Sequence, residues 1–297
     1  MPIAAVLLIL LHALTHATWN LIAKRSPKSS AFYSITILAG VLMYSPLCAV
    51  HIARNPAILG AWPWFLLSGT FLAFYYTLMA GVYAKADLSI AYPLLRLGPI
   101  FIVAWGMVFL DEQLTATALL GICAIVAGCM ILPQQSLKIS RSTFRLKHYA
   151  NWTYAAALAA SVCTSVYVVV DKFVMLRFNP NASGWIAFDY VWLEMAACSV
   201  VLAVLAGLGG RRRHWAEALS ARWKILLIAL MLIGAYVFVM CALAIPGVLV
   251  SHVGAFRQTS VVFTVLAGIV LLKEKCGPVR IAAAAVIVAG LLMVVMG

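Results

Sequence analysis

Long apolar runs separated by short polar segments follow one another along the whole chain. A helix of about 20 apolar residues crosses a hydrocarbon core about 30 Å thick, and ten runs come close to that length. The pattern therefore predicts an all-α integral membrane protein with ten transmembrane helices. We number these spans 1 to 10 in chain order; they cover residues 3–23, 31–52, 63–84, 88–110, 114–132, 151–171, 184–206, 224–244, 248–271 and 279–296.

Span 1 interrupts the apolar pattern with a row of polar side chains. His12, His16 and Asn20 are four residues apart, so they share one face of a helix, with Trp19 beside them. This face predicts either the wall of an internal cavity that handles substrate or protons, or hydrogen bonds to neighbouring spans. Two histidines at this spacing also fit one metal ion or haem, with His252 as a further ligand.

The composition supports a membrane protein and excludes several other classes. Hydrophobic residues make up 65% of the 297 positions and charged residues 10%, against about 45–50% apolar and 25% charged residues in soluble domains. The formal net charge of +13 comes from basic residues beside the spans, so we expect a lipid bilayer as partner and no nucleic acid. The seven cysteines include no Cys-x-x-Cys pair, and no nucleotide-binding or hydrolase motif occurs. No metal, cofactor or enzyme activity is therefore predicted.

The basic residues are distributed unevenly between the two sides of the membrane. Sixteen lysines and arginines flank the odd-numbered loops, whereas three (Arg54, Lys172 and Arg177) lie on the side of the chain termini. Cytoplasmic loops are rich in Lys and Arg, so the odd-numbered loops are predicted to be cytoplasmic in a multi-pass protein of the inner membrane. Lys172, at the predicted end of span 6, is expected to reach the headgroups.

The second half of the chain repeats landmarks of the first. Arg96 matches Arg257 and Tyr75 matches Tyr236 at a shift of 161, and the segment 124–128 matches 286–290 at 162. Trp19 matches Tyr167 at 148, so an insertion is expected within residues 207–223. With five spans in each half, the second copy enters the membrane from the opposite side, which makes an inverted-topology repeat. The predicted units are residues 1–133, a basic linker 134–150, and residues 151–297.

Longer motifs make the chain resemble the EamA-type transporters of the drug/metabolite transporter superfamily. The matching residues are HATWNLIAKRS from His16, ADLSIAYPLLRLGPIFIVAWGMVFLDEQLT from Ala86, and GAFRQTSVVFTVLAGIVLLKEK from Gly254. The resemblance implies a ten-helix exporter or importer of small metabolites, with a central cavity lined by spans 1, 3, 4, 6, 8 and 9. Two features depart from the family pattern: Gln258 replaces a common glutamate, and the charge bias opposes the usual cytoplasmic termini.

Arg96 and Arg257 lie well inside their spans, where a guanidinium needs a wet cavity or an acid as partner. As repeat mates they would approach each other, and two converging guanidinium groups favour a carboxylate or a phosphate-like anion. The alternative is that each arginine pairs with a resident acid, for which the candidates are Asp87, Asp189 and Glu194. Pro93 and Pro99 flank Arg96, so span 4 is expected to be kinked there.

Smaller expectations concern the ends and faces of other spans. Glu112 is expected to cap the helix that follows it. Gly121, Gly128 and Gly290 make spans 5 and 10 suitable for close packing, within one subunit or between two, so the sequence leaves open a monomer or a homodimer.

Taken with the resemblance, these features predict a secondary transporter that moves a small polar, anionic or zwitterionic metabolite by alternating access. The alternatives are a flippase of a lipid-linked sugar and a membrane-integral haem or metal enzyme. The predicted substrate-binding residues come from the polar face of span 1, the two motif regions and the symmetric tyrosines: His16, Trp19, Asn20, Tyr75, Tyr92, Arg96, Thr164, Tyr167, Tyr236, His252, Arg257 and Gln258.

Overall fold

A computed structural model describes residues 1–23, 26–27, 29–85, 94–132, 152–208, 212–272 and 277–297. The described residues form helices and connecting turns. Twelve α-helices are numbered in chain order: α1 Ile3–Ala23, α2 Ser30–Arg54, α3 Trp62–Lys85, α4 Gly98–Phe109, α5 Ala116–Ile131, α6 Trp152–Phe178, α7 Gly184–Leu208, α8 Arg212–Leu219, α9 Trp223–Ala244, α10 Val250–Phe256, α11 Thr259–Leu272 and α12 Pro278–Met296. A short 3₁₀-helix, Pro56–Ala61, precedes α3.

The apolar runs predicted most of these helices. Within the described ranges, seven helices (α1, α2, α3, α6, α7, α9 and α12) are long and apolar enough to cross a membrane, and α4 and α5 are shorter apolar helices. The expected insertion within residues 207–223 contains the short helix α8, which the apolar pattern did not predict.

Helix α6 ends seven residues beyond the run 151–171 that predicted it, because it continues past Lys172 to Phe178. The expectation that Lys172 reaches the headgroups was wrong. Its side chain is only 4% exposed, and Nζ donates a hydrogen bond to the carbonyl oxygen of Leu243 at 2.7 Å. The lysine holds α6 against the end of α9, since that carbonyl lies in the last turn of α9 and has no further helical partner.

Contacts between the two halves come in matching pairs. α1 packs on α9, and its repeat mate α6 packs on α3, the mate of α9. In the same way the α3–α7 contact matches α9–α2, and the α1–α11 contact matches α6–α4. The mates α2 and α7 pack on each other, as do α5 and α12. Exchanging the two halves therefore reproduces the pattern of contacts.

Helices α5 and α12 approach so closely that their backbones touch at a pair of glycines. A methyl group added at Gly121 would lie 2.7 Å from the Gly290 carbonyl oxygen, and one added at Gly290 would lie 2.6 Å from the Gly121 carbonyl oxygen. The contact lies within one chain, as the small residues of spans 5 and 10 allow.

The Gly290→Ala protein is expected to be destabilised by about 1 to 3 kcal/mol, because the added methyl group has no room to fit. The measurement is the midpoint of thermal unfolding in detergent, followed by size-exclusion chromatography. The control is Gly81→Ala in α3, where an added methyl group meets no atom within 4 Å. An unchanged midpoint in Gly290→Ala would show that the two helices separate without cost.

Glu112 caps a helix far away in the sequence, and the expectation that it caps the next helix was wrong. The helix that follows, α5, is capped by the side chain of Thr115, which accepts from the amide of Ala118. The Glu112 carboxylate, only 6% exposed, accepts hydrogen bonds from the amides of Val250 and Ser251 and from the Ser251 hydroxyl at the start of α10. Glu112, from the first half of the chain, thereby holds the N-terminus of α10 in place, because the first amides of a helix have no intrahelical partner.

Candidate functional site

A polar cavity lies between the two halves. About 780 Å³ of empty space lies between its walls, a volume that includes open solvent. Its walls come from α1, α3, the segment from Leu95 into α4, α6, and the residues around the α10–α11 junction. The polar and aromatic side chains on these walls are His12, His16, Trp19, Asn20, Tyr75, Tyr83, Arg96, Thr164, Tyr167, Arg257, Gln258 and Ser260.

A second cavity of about 450 Å³ adjoins the first, with which it shares His12, His16, Trp19, Tyr75, Tyr167 and Arg257. It adds Tyr236 and other residues of α9 to the walls. Together the two cavities are lined by parts of spans 1, 3, 4, 6, 8 and 9, which the family resemblance implied, and by Met195 of α7 in span 7.

Both arginines lie where a span is interrupted. Arg96 forms a turn before α4 begins at Gly98, as the prolines of this region predict, although Pro93 is outside the described residues. Arg257 follows the end of α10 at Phe256, and α11 begins at Thr259. At this second break the Thr259 hydroxyl donates a hydrogen bond to the Phe256 carbonyl oxygen at 2.6 Å. The apolar pattern did not predict an interruption at Arg257, because no proline occurs there.

The arginines meet on one wall of the cavity. Arg96 Nη1 donates a hydrogen bond of 3.0 Å to the Gln258 side-chain oxygen, next to Arg257 in the chain. The Arg257 guanidinium carbon lies 5.6 Å from the centre of the Tyr236 ring. A cation at that distance over an aromatic face is attracted to it. A hydrogen bond thus holds the Arg96 guanidinium at the cavity wall, and a ring contact holds that of Arg257.

The polar face of α1 forms another part of the cavity wall. The Asn20 amide donates to the His16 carbonyl oxygen at 2.8 Å and lies 2.9 Å from the His16 Nδ1 atom. The His16 ring packs edge-on against Trp19, with ring centres 4.9 Å apart. His12 is buried one turn earlier, where its Nδ1 lies 2.9 Å from the Ala235 carbonyl oxygen of α9. His12 therefore joins α1 to α9 and also lines both cavities, while His16 and Asn20 bond to each other on the wall of the first.

Three tyrosines line the junction between the two cavities. Tyr167 lies between the symmetric pair, with ring centres 6.4 Å from Tyr75 and 6.1 Å from Tyr236. Trp19, the repeat mate of Tyr167, lines both cavities as well. Aromatic rings of this kind offer flat apolar faces together with hydroxyl groups.

Most of the residues predicted to bind substrate lie on this cavity. Tyr236 lines the second cavity rather than the first, and Tyr92 is outside the described residues. His252 is on neither wall; it is buried in α10, so the structure does not bring it together with His12 and His16 as a metal or haem site. A direct contact with substrate stays a prediction for each residue.

Two of the three acids named in the pairing alternative have partners other than the arginines among the described residues. The side chain of Asp189 lies against His51 Nδ1, and Glu194 lies 2.8 Å from the Ser68 hydroxyl. Asp87 is outside the described residues. The sequence analysis did not single out Asp171, a buried acid in the last third of α6; its position directly after the apolar residues 168–170 was the available signal.

Comparisons with known proteins agree with this architecture. A sequence model of the EamA-like transporter family matches residues 3–133 and 151–296. One solved crystal structure, described without a function, is similar with a TM-score of 0.72 and 18% sequence identity, over 100% of this chain and 98% of the other. No curated protein sequence matches. Two copies of the family pattern cover nearly the whole chain, and the chain belongs to the EamA-like transporter family of multi-pass membrane proteins.

Proposed function

We propose that this protein is a secondary transporter that moves a small anionic or zwitterionic metabolite by alternating access. The proposal rests on one observation above all: two arginines from equivalent positions of the two halves lie on the wall of a single cavity. Among the described residues that line this cavity, these are the charged side chains other than histidine. A substrate with a carboxylate, phosphate or phosphonate group complements them.

The rest of the cavity supports a substrate with further polar groups. His16, Asn20, Thr164 and Gln258 offer donors and acceptors around the arginines. The Tyr75 and Tyr167 rings provide faces that attract an ammonium group, so a zwitterion such as an amino acid complements both ends of the site.

The transport cycle we propose uses ten spans in two inverted halves, 1–133 and 151–297. The matching contacts between the halves support it, because two arrangements related by exchange of the halves would have similar packing. Spans 4 and 9 are interrupted at the arginines, and interrupted helices at membrane depth are typical of transporter sites. The charge bias favours cytoplasmic odd-numbered loops in the inner membrane.

A counterflow screen tests this function. Purified protein is reconstituted into liposomes loaded with one unlabelled compound, and exchange with the labelled compound outside is followed for amino acids, organic acids, phosphonates and nucleobases. We expect exchange for at least one compound that carries an acidic group, and none in protein-free liposomes. Exchange confined to cations or to uncharged compounds would overturn the anionic assignment.

A further inference from the structure

Behind the cavity lies a buried group of ionisable side chains, which we call the carboxyl cluster. It consists of Ser68 on α3, Asp171 on α6, Tyr190 and Glu194 on α7, and Tyr236 on α9. Ser68, Asp171, Tyr190 and Glu194 are 0% exposed. The Ser68 hydroxyl lies 2.7 Å from Asp171 Oδ1 and 2.8 Å from Glu194 Oε1. The second oxygen of Glu194 is buried without a hydrogen-bond partner among the described residues.

Close helix packing brings the two acids to one serine. Gly69 follows Ser68, and a methyl group at Gly69 would lie 2.7 Å from the Glu194 carbonyl oxygen and 2.9 Å from the Cys198 amide nitrogen. The absence of a side chain there lets α3 lie directly on the α7 backbone. Ser68 therefore reaches both α6 and α7.

Counting hydrogens shows that the cluster holds a proton. A serine hydroxyl has one hydrogen, so Ser68 can donate to one carboxyl group and accept from the other. Asp171 also accepts from the hydroxyls of Tyr190, at 3.0 Å, and Tyr236, as an ionised carboxylate does. Ser68 then donates to Asp171 and accepts the hydrogen of a neutral Glu194. An ionised Glu194 would leave a charged oxygen buried without a partner, which is strongly unfavourable.

The charge balance around the cluster leads to the same assignment. The titratable groups that face it come from every neighbouring element: Tyr75 on α3, Tyr167 on α6, Cys198 on α7, and Arg257 after α10. Among these described groups Arg257 is the cation that acts on both Asp171 and Glu194. One positive charge balances one carboxylate. The second buried acid has no cation to balance it, so it is neutral and carries a proton.

Tyr236 connects this cluster to the cavity. Its hydroxyl donates to Asp171, while its ring lies under the Arg257 guanidinium and on the wall of the second cavity. When an anionic substrate binds Arg257, it takes over the positive charge that balanced Asp171. The uncompensated Asp171 carboxylate then binds a proton, which reaches it from the second cavity past the Tyr236 hydroxyl.

We infer that the carboxyl cluster is the proton-binding site of the protein and couples the proton gradient to transport of the anion in the same direction. This inference rests on the proposed function. Proton and anion binding reinforce each other because each restores the charge balance that the other disturbs. In the loaded state both acids are neutral and the anion balances Arg257; in the empty state Asp171 is ionised.

Infrared spectroscopy tests the proton without any transport substrate. Difference spectra are recorded for protein in lipid membranes between alkaline and neutral buffer, with and without D₂O. A band of a protonated carboxyl group is expected in the wild type at neutral pH and is lost in Glu194→Gln. The matched control, Asp189→Asn, changes the other buried acid of α7 and keeps this band. A wild type without a protonated carboxyl band, or a Glu194→Gln spectrum that retains it, would overturn the assignment.

Transport measurements test the coupling. Liposomes carry the pH dye pyranine, and the probe is the acidic compound that exchanges in the counterflow screen. The wild type is expected to accumulate it when the lumen is alkaline and to acidify the lumen as it does so. Asp171→Asn, which has no carboxylate to take up the coupling proton, is expected to lower the ratio of gradient-driven accumulation to counterflow by at least about tenfold, within the usual range of coupling between two sites.

The outcomes separate the two proposals. Absence of counterflow by the wild type rejects the transport proposal, while the infrared band still reports the proton. Counterflow with accumulation that a sodium gradient drives, or accumulation that ignores the pH gradient, rejects the proton site and leaves the transport proposal intact. Should Asp171→Asn fail to fold, the pyranine signal of the wild type decides alone: uptake without acidification overturns the coupling.

Discussion

Replacing Arg257 with glutamine is expected to reduce counterflow of an acidic substrate by roughly thirtyfold or more. Truncating one partner of a buried, hydrogen-bonded charge pair typically costs about 2 to 5 kcal/mol, and each 1.4 kcal/mol is a factor of ten in affinity. Arg257 lines both cavities and lies over the Tyr236 ring, so it is where the charge of the substrate would be balanced. Glutamine keeps hydrogen-bonding ability and removes the charge.

Arg257→Lys separates the effect of charge from that of shape. Lysine carries the charge but lacks the planar fork that binds a carboxylate with two parallel hydrogen bonds, so we expect a smaller loss, about tenfold. The control is Arg213→Gln on α8, a side chain that is 87% exposed and pairs with Glu217 on the surface. If Arg257→Gln protein, reconstituted at normal abundance, exchanges every compound at the wild-type rate, Arg257 does not bind the substrate.

Replacing Glu112 with alanine is expected to produce the largest loss of stability of any single change described for this chain. The mutation leaves the amides of Val250 and Ser251 and the Ser251 hydroxyl buried without their acceptor. A hydrogen bond to a charged group contributes about 1.5 to 3 kcal/mol, so the loss of three amounts to several kcal/mol. We expect little monodisperse protein and, in what remains, a strongly lowered unfolding temperature.

Size-exclusion chromatography after stepwise heating measures this effect. Glu112→Gln keeps one acceptor oxygen in place and is expected to fall between the wild type and Glu112→Ala. Glu217→Ala serves as control, because it removes an exposed glutamate whose pair with Arg213 contributes at most about 1 kcal/mol. A wild-type unfolding temperature for Glu112→Ala would mean that α10 is fixed by its other contacts.

The helices were predictable where a local property decides them. The length of an apolar run predicted α1, α2, α3, α7 and α9 to within a few residues, because lipid solvation acts on each segment separately. The same rule misplaced the end of α6. There the charged side chains of Asp171 and Lys172 find partners on α3 and α9, so the helix continues through them.

Repeat symmetry made part of the site predictable as well. Matching the halves selected Arg96 with Arg257 and Tyr75 with Tyr236, and these residues line the two cavities. The polar face of α1 was visible from its four-residue spacing. The partners of Glu112, Asp189 and Glu194 were not predictable, because each contact joins segments more than a hundred residues apart.

The glycine contact between α5 and α12 also constrains how the halves can move in the proposed cycle. Backbones that touch at Gly121 and Gly290 leave no side-chain layer on which one helix could slide along the other. A rocking motion would then turn about this line of contact. The residues that line the two cavities lie on other helices, away from this line, so a small rotation would displace them more than the residues at the glycine contact.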